Sequence, residues 1–141
     1  FEQETMDSTI AIYTPVFALL FVVLSVNVIR TRRREKVGLG AGGNVAVERA
    51  MRVHANFSEY VPITLLLLLI LEQSGGNILL LHALFVVLLA GRIIHAWGVS
   101  QQKENFTFRV SGMILTFTVI MTASIAIAIL RLAQLAYPVP F

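Results

Sequence analysis

Arg52, Asn56 and Glu59 stand at i, i+4 and i+7, a spacing that stacks all three on one face of a helix. Glu48 continues the stripe one turn earlier. On a later segment Arg92 and His95, at i and i+3, also share a face, and Arg109 opens the segment after that. A guanidinium grips a carboxylate through two parallel N–H bonds, and a carboxylate takes up an ammonium. A mostly cationic set with one carboxylate, Glu59, therefore suits a small anionic ligand that also bears an amine. Spacing alone leaves a second reading open, in which Arg52 and Glu59 only tie helices together by charge-assisted hydrogen bonds. His54 lies well around the helix from Arg52 and need not share its pocket.

The elements that carry these groups are set by composition. The chain has 141 residues, 57% hydrophobic and only 13% charged, with a mean hydropathy of +0.80. Soluble domains carry about 25% charged residues, so the balance points to a membrane protein. The fold class read from it is an all-α integral membrane protein, a left-handed-type bundle of four transmembrane helices, with residues 1–141 forming one domain. There is no cysteine, so any sulfur chemistry needs a thiol brought from outside. FEQET, residues 1–5, reads as a remnant ahead of a native start at Met6.

Crossing about 30 Å of hydrocarbon takes roughly 20 helical residues at 1.5 Å each. Spans at about 10–29, 78–99 and 108–131 satisfy this directly. The remaining apolar run, Val61–Leu71, is too short alone and stops at the turn sequence Glu72-Gln73-Ser74-Gly75-Gly76-Asn77. Counting about 20 residues back from that turn puts Asn56 and Glu59 within hydrocarbon depth and Arg52 at its edge. The second span is accordingly read as 48–72, and the polar residues belong to it.

Ten of the eleven basic residues then fall on one side, with only Arg131 on the other. By the positive-inside rule that side is cytoplasmic and both termini lie opposite it. Arg30, Arg34 and Lys36 read as topology anchors, and the glycine-rich stretch 38–44 reads as a flexible connection. The clustering of charge beside an apolar run excludes nucleic acid as a partner and leaves membrane lipid as one. No His, Asp or Glu cluster has metal-ligand spacing. His82 reads as a hydrogen bonder between helices.

The stretch from Glu48 to Pro62, containing Arg52-x-x-x-Asn56-x-x-Glu59-Tyr60-x-Pro62, resembles the signature of the MAPEG proteins, the membrane-associated proteins of eicosanoid and glutathione metabolism. The four-span layout and the basic stretch after the first span match as well. The resemblance implies a homotrimer that binds glutathione, as co-substrate or cofactor, between neighbouring subunits near the cytoplasmic face. It implies glutathione contacts from Arg32, Arg52, His54, Asn56, Glu59, Tyr60, Arg92, His95 and Arg109, and a thiolate-stabilising role for Arg33. One departure is Val99, which occupies a position where the family commonly has tyrosine. The function implied is a glutathione-dependent transferase or peroxidase acting on lipophilic electrophiles or lipid hydroperoxides, as in detoxification and lipid metabolism. Glutathione-dependent isomerisation of an endoperoxide-type lipid is an alternative, and a non-catalytic trimer with a purely structural polar face is another.

Overall fold

A computed structural model describes residues 8–101, 103 and 105–136. The residues read as a remnant, 1–5, and the proposed start at Met6 lie outside the described residues. Four helices follow one another: α1 (Thr9–Glu35), α2 (Val45–Gln73), α3 (Ile78–Ser100) and α4 (Phe106–Ala136). Each is long and apolar enough to cross a membrane, and there is no strand among the described residues. The chain is a four-span membrane protein.

The helices run past the apolar spans at several ends. Arg30, Arg32, Arg33 and Arg34, expected in a connection, instead form the last turns of α1. Arginine is a strong helix former, and cations favour the negative end of the helix dipole. Lys36 then closes the helix in a left-handed conformation, and the chain turns through Gly40, Gly42 and Gly43, all at positive φ. Asn44 opens α2 by accepting hydrogen bonds from Ala46 and Val47 N–H. Its amide also donates to Glu35 at 3.0 Å, bracing the start of α2 against the end of α1. Asn77 caps α3 in the same manner.

At the opposite end α1 has no acid of its own in the first turn. Glu72, at the end of α2, fills that role by accepting from Thr9 N–H, from Ile10 N–H at 3.5 Å and from the Ser8 hydroxyl at 3.0 Å. A carboxylate on orphan N–H groups at a helix N-terminus satisfies donors and complements the dipole together. His82 meets the Tyr13 hydroxyl at 3.0 Å, joining α3 to α1. Tyr13 also stacks on Phe85 with ring centres 4.6 Å apart.

α2 packs against all three other helices, whereas α1 touches α2 and α3 but not α4 among the described residues. The core is apolar, built from Phe17, Phe57, Leu68, Leu71, Phe85, Leu88 and Val119 among others. The closest approach is between α3 and α4, where glycines replace side chains. A Cβ on Gly112 would stand 2.6 Å from both the Gly91 carbonyl oxygen and the His95 Cβ, and one on Gly98 would stand 2.7 Å from Arg109 N. Small residues let membrane helices approach until backbone meets backbone.

Gly112→Ala is therefore expected to lose about 1–3 kcal/mol of stability through overpacking, while Gly38→Ala, with nothing within 4 Å of its added Cβ, leaves thermal unfolding in detergent unchanged. Glu72→Ala is expected to cost about 1–2 kcal/mol through loss of the α1 cap, seen as a lower unfolding temperature in the same assay.

Candidate functional site

The long α2 presents its polar stripe towards α3 and α4. Between them lies a cleft of about 510 Å³, within the usual range for small-molecule sites of roughly 300–1,000 Å³. α2 lines it with Val45, Glu48, Arg49, Arg52, Ala55, Asn56, Glu59 and Tyr60, α3 with His95 and Val99, and α4 with Arg109. Six of the residues singled out from sequence thus meet in one place: Arg52, Asn56, Glu59, Tyr60, His95 and Arg109. Arg52 and Glu59 are exposed to the cleft, and neither forms an ion pair or hydrogen bond among the described residues.

The cleft carries three arginines (Arg49, Arg52, Arg109) against two glutamates (Glu48, Glu59), one net positive charge with His95 neutral. His95 is 5% exposed. Its Nδ1 lies 3.2 Å from the Arg109 carbonyl oxygen, which can only accept, so Nδ1 carries the proton. Tyr60 packs edge-on against Phe117 of α4 with ring centres 5.5 Å apart. The Arg109 guanidinium lies 5.9 Å from the centre of the Phe106 ring. Val99 gives the cleft wall an apolar side chain at this point.

The remaining predicted residues lie elsewhere. Arg92 is not on the cleft wall: it is 2% exposed and sits behind Asn56, donating to Asn56 Oδ1 at 2.5 Å and to the Gly112 carbonyl at 3.1 Å. His54 turns towards α1, with Nε2 3.0 Å from Ser25 Oγ and its ring 4.9 Å from that of Phe21. The Ser25 hydroxyl already donates to the Phe21 carbonyl, so His54 is the donor of that pair. Arg32 and Arg33 line a separate groove of about 450 Å³ with Ile29, Lys36, Val37 and Gly38. Arg32 donates to the Gly38 carbonyl at 3.3 Å and to the Met51 sulfur at 3.2 Å.

Val45, Arg49 and Ala55 are the cleft residues that the sequence reading does not single out. All three fall on the stripe, at i−7, i−3 and i+3 from Arg52, so helical spacing can find them. Arg49 was absorbed by its reading as part of the basic side of the membrane.

Residues 10–129 match the model of the MAPEG family. The chain is also 35% identical over 116 residues to the inner membrane protein YecN of Escherichia coli K12, covering 82% of this chain and 87% of that protein. YecN of Escherichia coli O6:H1 matches equally. No solved structure matches. With the family model spanning 10–129 and a relative this similar along most of its length, the chain belongs to the MAPEG family.

Proposed function

We propose that this protein is a glutathione-dependent transferase or peroxidase that turns the glutathione thiolate on lipophilic electrophiles or lipid hydroperoxides. The observation that carries this reading is the cleft with Arg52 and Glu59 facing into it unpaired. Glutathione has two carboxylates, one ammonium and one thiol, hence a net charge of −1 at neutral pH, which complements the cleft's formal charge. Arg52, with Arg49 and Arg109 beside it, takes carboxylates, and Glu59 takes the ammonium. Asn56, Tyr60 and His95 supply directional polar contacts. Family membership supports the same ligand.

A free thiol, with pKa about 8.5, is only a few per cent ionised at pH 7. A guanidinium beside the sulfur favours the anion, and a depression of two pKa units, about 2.7 kcal/mol, makes the thiolate the main form. Arg33 is assigned this role. In one copy of the chain Arg32 and Arg33 line their own groove and not the cleft. The reading therefore takes a homotrimer in which the α1 arginines of one subunit complete the site of the next, on the cytoplasmic side. The thiolate then attacks an electrophilic carbon and expels its leaving group, or attacks the terminal oxygen of a hydroperoxide. The second course breaks the O–O bond to give glutathione sulfenic acid and an alkoxide that takes a proton and leaves as the alcohol. A second glutathione converts the sulfenic acid to the disulfide and water. Lipophilic substrates reach the site by partitioning through the bilayer.

Calorimetry on the detergent-purified protein is expected to show glutathione binding, with Arg52→Ala weakening it at least tenfold. Absence of binding by the wild-type protein, together with no conjugation of a generic aryl halide, defeats the proposal. Arg33→Ala is expected to lower turnover while glutathione affinity and trimer survive. If the assembly collapses instead, the polar groups are structural. Recovery of glutathione unchanged alongside a rearranged lipid product identifies isomerase chemistry.

A further inference from the structure

We propose that Arg92 acts on the cleft from behind, as a positioning residue that works through Asn56 without touching the ligand; this rests on the glutathione reading above. Arg92 is 2% exposed and does not line the cleft, whereas Asn56 does. Nη1 of Arg92 donates to Asn56 Oδ1 at 2.5 Å. Nη2 donates to the Gly112 carbonyl at 3.1 Å and lies 3.6 Å from the Met113 sulfur. Nε is buried and has no hydrogen-bond partner among the described residues.

Two consequences follow from the chemistry of these groups. A guanidinium has donors only, so Asn56 must present its oxygen to Arg92 and turn its NH2 the other way. Asn56 therefore offers the cleft a donor pair, suited to a carboxylate or thiolate; the flipped amide would offer an acceptor and repel one. The second consequence is electrostatic. An amide oxygen, a backbone carbonyl and a thioether are all neutral, so the Arg92 charge is buried without a counter-ion hydrogen-bonded to it. A buried cation lacking an anion is an expensive arrangement. An anion bound in the cleft, one side chain away, is its counter-charge. Arg92 thus makes the cleft selective for anions, and its bond to Gly112 ties that selectivity to the close α3–α4 contact.

The test measures glutathione binding by calorimetry to the full chain in detergent for the wild type, Asn56→Ala, Arg92→Gln and the double variant, with unfolding temperatures taken in parallel. Each single change is expected to weaken binding by about tenfold to a hundredfold, and the double variant to be no weaker than the worse single one. Additive losses overturn the proposal, because they mean that Arg92 contacts the ligand independently. Asn56→Asp covers the case in which Arg92→Gln does not fold. It gives Arg92 a counter-ion and replaces the donor pair with an acceptor, so it is expected to raise the unfolding temperature without ligand and to weaken glutathione binding at least tenfold. An unchanged or lower unfolding temperature for Asn56→Asp defeats the Arg92 proposal whatever the ligand. A wild type that ignores glutathione while Asn56→Asp is stabilised defeats the glutathione reading instead.

Discussion

An ionised side chain near the middle of a bilayer costs about 2.5–3.5 kcal/mol on insertion scales, and this chain carries several on segments that must cross. The cost is tolerable only where those groups face protein or water. That constraint accounts for much of the architecture. α2 is long because its apolar run alone cannot span, so Arg52, Asn56 and Glu59 must be part of the crossing helix. The cleft between α2, α3 and α4 is where those groups are turned, while the other side of α2 closes the apolar core through Val53, Phe57 and Val61. One helix thus serves two environments, and its 3.6-residue period keeps them apart.

The glycines at the α3–α4 contact belong to the same solution. With no side chain at Gly91 or Gly112, the two backbones come close enough for the Gly112 carbonyl to accept from Arg92. The Thr116 hydroxyl donates to that same carbonyl at 2.9 Å, so one oxygen serves both helices. A larger residue at either glycine would separate the helices and leave Arg92 with only Asn56 and a sulfur. Packing of small residues and placement of a buried cation are therefore one requirement.

The sequence disclosed the four spans and the face shared by Arg52, Asn56 and Glu59, because span length and helical period are local properties. It also put Arg92 and His95 on one face and Arg109 at the opening of the next segment. What it could not disclose was rotation of one helix relative to another. His54 carries as much chemistry as His95 in the one-letter code, yet it turns to α1 and meets Ser25. Arg92 shares a face with His95, but the missing side chain at Gly112 draws it into the interior. Glu72 looked like part of a turn, and only the meeting of two distant chain segments reveals it as the cap of α1. The arginines after Ile29 were placed in a connection because hydropathy marks where lipid ends, which is short of where the helix ends.

The hydrogen bond donated by the Asn44 side-chain amide to Glu35 fastens the two ends of the intervening glycine-rich stretch to each other. The turn itself, at Gly38, Gly40 and Gly43, has open space where side chains would go. Alignment of α1 with α2 is accordingly held by the fastening and by the helix contacts, and the tether contributes little to it. Since loop closure changes only slowly with length, the ribbon between these two helices can lengthen or shorten while the arginines at the foot of α1 keep their station, although Gly40, Gly42 and Gly43, at positive φ, resist replacement.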